Sequence, residues 1–434
     1  MGNEAKLKRD IGLLAAGVLV LNGVVGAGIF GLPGRLADQA GNYSPWLIII
    51  FGALIVTVAW TYAELASYFT KTGGPVAYVS EAFGPVLGFQ VGWLLYIGRV
   101  AALAANTNVL ADYLAYVWDA AGGGLLRIAI IFIFIGTLAT INIFGIRRAV
   151  QTVNILTFFK LIPILVLIIL GFQYLTPEML LPHDLPKIDD TEAVVLLVLY
   201  AFVGFEGALI TAGETKEPKK NLPRALISTV LIITALYFAV QLAYVAVSPP
   251  GGSEVPLVAL GRELLGPIGG IIITITAVIS IAGNTTVIII AAPRMTFALA
   301  EDRTLPAWFS KVHTKYNTPA NGIMFMAIFA ALAAISGTFV MLAVSSTLAR
   351  MVATGICILG LPRIRKKADK KTRENAVKIP GGYLIPGIAI LVCIFAASQS
   401  SLKAWGYMAG FIAVGSVLYV INKFHKINQN DEGI

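Results

Sequence analysis

Among the ionisable side chains inside the long apolar stretches of this 434-residue chain, four call for weighing: Glu64, Arg99, Lys160 and Glu206. Each costs about 2.5–3.5 kcal/mol at mid-membrane on insertion scales, so a group retained there is a functional candidate. Glycine clusters add a second signal. The first apolar stretch contains VVGAGIFG from Val24 to Gly31, and each glycine weakens a helix interior by about 1 kcal/mol relative to alanine. A later stretch, LYAFVGFEGALITAGE from Leu199 to Glu214, places Gly204 and Gly207 around Phe205 and Glu206. Both patterns predict helices interrupted near mid-membrane. Unwinding frees backbone N–H and C=O groups, which lipid cannot satisfy but a polar ligand in a buried cavity can. The N-terminal end of the following half-helix also offers partial positive charge to an anion. The chemistry implied is binding rather than bond-making. Close helix packing is the competing explanation for either cluster alone.

These residues must be positioned by helices in lipid. Hydrophobic residues form 57% of the chain and charged residues 13%, against about 25% charged in soluble domains. Mean hydropathy is +0.82. The composition is that of a polytopic membrane protein. At about 20 apolar residues per span, candidates fall near 11–38, 44–69, 86–117, 126–144, 149–175 and 192–214. A second series follows near 223–247, 267–299, 320–336, 339–361, 381–400 and 404–423. Twelve spans put both termini on one side. Basic residues gather in alternate loops: Lys6, Lys8 and Arg9; Lys71; Arg147 and Arg148; Lys216, Lys219, Lys220 and Arg224; Arg303, Lys311 and Lys315. The loop RIRKKADKKTRENAVK (363–378) belongs to the same side, whereas the opposite loops include the acidic HDLPKIDDTE (183–192). By the positive-inside rule the termini are cytoplasmic. The formal charge of +9 is accounted for there, so no nucleic-acid partner is called for. The first apolar run lacks a small-residue cleavage site and is expected to be retained. His183, His313 and His425 lie in loops or the tail, and Cys357 and Cys393 in apolar runs. No metal, disulfide or cofactor is expected from them.

The two glycine-broken spans, first and sixth, are five crossings apart. An odd number would set two five-span units in opposite orientations, and such paired breaks point to a transporter's binding site. GVVGAGIFGLPGRLA (23–37), YAELASYFTKTGGPVAYVSEAFG (62–84), FVGFEGALITAGETKEPKKNLPRAL (202–226) and PRMTFALAEDRTLPAWFSKVHTKYNTP (293–319) resemble, in order, motifs of the amino acid–polyamine–organocation (APC) superfamily. The resemblance implies an all-α integral membrane fold of the leucine-transporter type. That fold is a five-plus-five inverted repeat with helices 1 and 6 broken, plus two peripheral C-terminal helices. It divides the chain into a first repeat at 1–180, a second at 190–362 and peripheral spans at 379–424, forming one transport unit in the cell membrane.

The resemblance also implies secondary transport of amino acids or related amines. The N–H groups around Gly26, Ala27 and Gly28, flanked by Val25 and Ile29, would receive a substrate carboxylate. Carbonyls near Val24 and Tyr200–Ala201 would receive its ammonium. On this reading a bulky residue at Gly28 blocks binding and spares the fold. Tyr200 and Phe202 beside the second break, and Gly204 within it, complete the expected site. Tyr200 either covers the substrate or packs. Arg99 and Asn106 share a face of the third span with Leu103, Leu110 and Tyr113, at spacings of four and three. Arg99 keeps its charge, so it pairs with Glu206 or Glu64, or else contacts substrate. Lys160 resembles the fifth-span lysine that replaces a bound cation in proton-coupled and exchanger branches. It carries the coupling proton or pins freed carbonyls. Glu206 takes up a proton as the break moves between wetter and drier surroundings, or holds the unwound segment together. Glu64 is read as structural.

The leading expectation is proton-coupled uptake of a small or apolar neutral L-amino acid by alternating access. The alternative is an amino-acid or polyamine exchanger. Polyamine dications call for several carboxylates, and an arginine and a lysine near the cavity oppose them; an anionic amino acid fits if Arg99 touches ligand. Sodium coupling through Ser280, Asn284, Thr285 and Thr286 stays open if Lys160 points elsewhere, as do oligomeric state and accessory subunits. An intramembrane protease needs paired aspartates, a serine dyad or a histidine cluster, and the spans carry no such set. A channel wants rings of polar residues from a symmetric assembly, which two breaks within one chain suit less well. The expected partners are an amino acid, protons and the bilayer, and the chain is not expected to be an enzyme.

Overall fold

The computed structural model describes residues 11–69, 74–144, 146–180, 191–249 and 254–431. Lys6, Lys8, Arg9, Lys71, His183 and most of the 183–192 segment lie outside them. The described chain is helical, with no strand beyond an isolated bridge between Ile11 and Thr215. In order the helices are α1 (Leu13–Val24), α2 (Gly28–Ala40), α3 (Ser44–Tyr68), α4 (Pro75–Phe83), α5 (Pro85–Val117) and α6 (Gly124–Phe144). They continue with α7 (Ile146–Gly171), α8 (Pro177–Leu180), α9 (Thr191–Phe202), α10 (Pro218–Val247) and α11 (Pro256–Glu301). The last are α12 (Ala320–Ser336), α13 (Phe339–Lys367), α14 (Lys370–Asn375), α15 (Leu384–Ser398) and α16 (Leu402–Asp431). Prolines open many of them. Pro45, Pro75, Pro85, Pro218 and Pro256 stand in first turns, where the missing N–H has no intrahelical acceptor to lose. Among the described residues, seven helical stretches are long and apolar enough to cross a membrane, accompanied by shorter apolar helices.

Large apolar side chains face outward on the peripheral helices, as Phe132 and Ile133 do on α6, Ile328 and Leu332 on α12, and Leu391 and Ile394 on α15. Helices α5 and α13 and the Val194–Phe202 stretch of α9 are the most deeply buried, while α10 lies along α3 and α5 against both α11 and α13. The packing is reciprocal along the chain. Helix α5 meets α13 as α11 meets α7, and α5 meets α12 as α11 meets α6. Helix α2 touches α9, while α1 touches the segment that follows α9.

Both glycine clusters interrupt helices where the spacing predicts. Helix α1 stops at Val24, residues 25–27 bend, and α2 starts at Gly28. Helix α9 stops at Phe202 and Gly204 takes φ +126°, a backbone conformation that favours glycine. The chain then continues as a 3-10 helix, Phe205–Glu214, where sequence periodicity alone suggests a resumed α-helix. A 3-10 run of that length is uncommon and often marks a hinge. The two breaks touch. A Cβ on Gly23 would come within 2.9 Å of the Gly204 carbonyl oxygen, and one on Gly204 would clash with the Gly23 carbonyl. Lys216 N–H donates to the Ile11 carbonyl at 2.8 Å, tying the entry to α1 to the exit from the second break.

Gly204→Ala is expected to destabilise the protein by about 1–3 kcal/mol from backbone strain, with the clash added. A thermal-unfolding midpoint equal to wild type in detergent would show that the breaks do not need this contact.

Candidate functional site

The site is assembled from freed backbone and the amides that meet it. Around the first break, Gly26 N–H turns back to the Val24 carbonyl at 2.9 Å, and Ala27 N–H donates to Asn106 Oδ1 at 3.3 Å. The N–H groups of Gly28 and Ile29 belong to the first turn of α2, which has no acceptor within its own helix. Asn106 Oδ1 also accepts from the Tyr200 hydroxyl at 3.0 Å, and its Nδ2 donates to Asn284 Oδ1 at 2.7 Å. Asn284 Nδ2 in turn donates to the carbonyls of Asn22 (2.5 Å) and Gly23 (3.1 Å), near the end of α1. Lys160 on α7 closes this chain of contacts. Its ammonium donates to Asn22 Oδ1 at 3.1 Å and to the Val25 carbonyl at 3.0 Å, and Thr157 donates to the same Asn22 oxygen at 2.7 Å. Hydrogen bonds thus link Tyr200 on α9 through Asn106 and Asn284 to the backbone of Asn22, whose side chain in turn holds Lys160.

A cluster of charge occupies the second break. Glu206 Oε1 is 2.8 Å from an Arg350 nitrogen and 3.5 Å from an Arg99 nitrogen, while Oε2 accepts from Gly204 N–H at 2.9 Å. All three side chains are buried. One carboxylate therefore joins α5, α13 and the break itself. Glu64 is occupied elsewhere, in a two-pronged pair with Arg365 at 2.7 Å on each prong. Of the two partners open to Arg99, the structure selects Glu206.

The polar groups converge on a cavity of about 20 Å³, walled by both breaks, by Asn106, Asn284 and Arg350, and by the apolar Ala102, Val203 and Ile288. That is room for about one water, so the walls must part to admit anything larger.

Residues 11–421 match the family model for amino acid permeases. The chain belongs to the amino acid permease family. It is similar to the branched-chain amino acid permease BcaP of Bacillus subtilis (strain 168), with 27% identity over 98% of this chain and 96% of the relative. The serine/threonine exchanger SteT of the same organism is 31% identical over 74% of this chain and 75% of its own length. The b(0,+)-type amino acid transporter 1 of Mus musculus is 26% identical over 97% and 89%. The permease is accordingly a multi-pass membrane protein of a transporter family.

Of the residues expected to bind substrate, Val24, Gly26, Ala27, Gly28, Asn106 and Tyr200 line the permease's cavity. Others of the expected set serve it from behind. The Val25 carbonyl holds Lys160, Ile29 is buried in the core, and the Phe202 ring turns to Tyr237 at 5.6 Å. Arg99 and Gly204 engage Glu206 instead of the cavity. Ala201 stands against Gly28, where an added Cβ would come within 2.8 Å of the Ala201 Cα. Gly28 is therefore small for helix packing as well as for access, and a bulky residue there disturbs the fold. The Val24 carbonyl, expected to be open, already accepts from Gly26 N–H and lies 3.4 Å from the Tyr237 hydroxyl. Sequence reasoning missed Arg350, Asn22 and the amide role of Asn284. An arginine inside the apolar stretch 339–361 carries the same insertion cost as Arg99, and that signal was available for Arg350.

Arg350→Met is expected to cost about 3–5 kcal/mol, because it leaves most of a buried carboxylate's charge unpaired. Arg99→Met, at the longer contact, should cost less than half as much. Equal losses in detergent thermal melts would mean that the two arginines share Glu206 evenly.

Proposed function

We propose that this permease is a secondary active transporter that moves amino acids across the cell membrane by alternating access, driven by protons. The observation that carries the reading is the meeting of two broken helices around one polar cavity. The first-turn N–H groups of α2 stand on one side for a carboxylate, and the last carbonyls of α1, held by the Asn284 amide, on the other for an ammonium. A zwitterion replaces both sets of contacts without a dedicated charged side chain. The apolar walls at Ala102, Val203 and Ile288 suit a small or apolar neutral side chain. The relatives named for amino acids support the class.

In this proposal twelve spans cross the bilayer with both termini cytoplasmic. Residues 1–180 and 190–362 form inverted repeats, and 379–424 are peripheral. The reciprocal contacts of α5, α11, α7 and α13 support that arrangement. Lys160 is assigned the coupling proton. It is buried against the Val25 carbonyl and Asn22 at the first break, so gain or loss of its charge acts on that break directly. Glu206 is assigned to hold the second break, since neutralising it would leave Arg99 and Arg350 facing each other without an anion. Lys160 donates to the Val25 carbonyl and Asn284 to those of Asn22 and Gly23, which favours this reading over sodium coupling. A second reading, amino-acid exchange, is favoured by the exchanger among the relatives; Lys160 is then a fixed cation.

Proteoliposomes with the inside at higher pH than the outside decide between them. Wild-type uptake of a neutral amino acid should follow the pH gradient without sodium, and Lys160→Ala should lower it by at least about tenfold, the equivalent of one pKa unit of linkage. Uptake that ignores the gradient and needs internal amino acid would replace the proton reading with exchange. The amide of a transported amino acid should bind about 10–100-fold more weakly, from the loss of charge-assisted hydrogen bonds at α2. Equal binding would remove the zwitterion site.

A further inference from the structure

A second cavity, of about 600 Å³, opens between the ends of α3 and α13 and the segment that leads into α15. Among the described residues, four cationic side chains line it, Arg365, Lys366, Arg373 and Lys378, against a single carboxylate, Glu64. The basic run on α13 is not uniformly solvated charge, because its members divide by what they touch. Arg363 lies over the Phe83 ring at 4.5 Å, and Lys367 pairs with Glu81 at 3.2 Å. Those two are spent on the protein. Lys366 and Lys378 have no carboxylate partner among the described residues and stand on the cavity wall. Arg365 is fixed there by Glu64 and by the Tyr383 ring at 4.7 Å, and Arg373 by the carbonyls of Lys366 (3.4 Å) and Ala368 (3.2 Å). The cations are thus gathered in one concave site, with two pinned in place and two left to close on a ligand.

We infer that this cavity binds a phosphate group, carried by an anionic lipid headgroup or by a soluble phosphorylated compound. Guanidinium and ammonium groups converging without matching anions are the usual means of holding a phosphate's oxygens, and basic pockets at membrane level on the cytoplasmic side suit headgroups. Tyr383 and Leu384, exposed at the mouth where α15 begins, put an aromatic and an apolar side chain at the height where a headgroup meets acyl chains. The site is separate from the central cavity and does not depend on what is transported. Arg365 and Arg350 ride on the same helix, so occupancy here also acts on the helix that holds Glu206.

The test uses the full chain in nanodiscs of phosphatidylcholine, with and without phosphatidylglycerol, and in phosphatidylcholine discs with added pyrophosphate. Binding is read by thermal shift and by lipid retention in native mass spectrometry. Lys366→Gln with Lys378→Gln should weaken the effective ligand about 30-fold, the two lysine contributions together, while basal uptake persists. A phosphatidylglycerol effect identifies a lipid site, and a pyrophosphate effect in phosphatidylcholine identifies a soluble ligand. Absence of both overturns the inference. So does an equal loss from Lys311→Gln with Lys315→Gln, which lie outside the cavity, since that would mean unspecific surface charge.

Discussion

Everything central in this permease answers one constraint: backbone groups released by two helix breaks must find partners in an apolar interior without water. Three asparagines do much of that work. Asn106 meets the Ala27 N–H, Asn284 meets the carbonyls at the end of α1, and Asn22 offers its oxygen to Lys160. An amide supplies donor and acceptor together, so it can satisfy one break group and pass a hydrogen bond onward. Asn106 and Asn284 use both ends of the amide in this way, whereas Asn22 receives Asn284 on its backbone carbonyl and Lys160 on its side-chain oxygen.

Charge is distributed by the same logic. Lys160, Arg99 and Arg350 are buried near the breaks with a single carboxylate, Glu206, among them. The imbalance falls where α1 and α9 end, and helix C-termini carry partial negative charge. Lys160 is met by a carbonyl from the first break, whereas the arginines converge on Glu206 in the second. The two breaks are therefore stabilised differently, one by an ammonium on a backbone carbonyl and an asparagine oxygen, the other by an anchored carboxylate.

Much of this was legible in the chain. Glycine spacing located both breaks, and apolar runs marked the helices, because burial and backbone entropy are local properties of residue type. The pairing of Arg99 with Glu206 is one of three options the sequence leaves, beside Glu64 and the substrate, and only the fold brings the two together. Asn22 and Asn284 gave no comparable signal, since a neutral amide pays little of the insertion cost that makes a buried charge conspicuous. Glu64 found Arg365 across 301 positions, a separation no periodicity reaches. Gly28 shows the opposite limit. Its small size was read as room for a ligand, and Ala201 supplies a second reason that sequence cannot distinguish from the first.

The contact between Gly23 and Gly204 has a mechanical consequence. With no side chain between them, the two breaks meet as hard surfaces, and nothing compressible absorbs a displacement of either. Packed interiors yield little before something gives way, so a displacement of either break is passed to the other. In the alternating-access cycle proposed above, that shared fulcrum would resist opening to both sides at once through geometry.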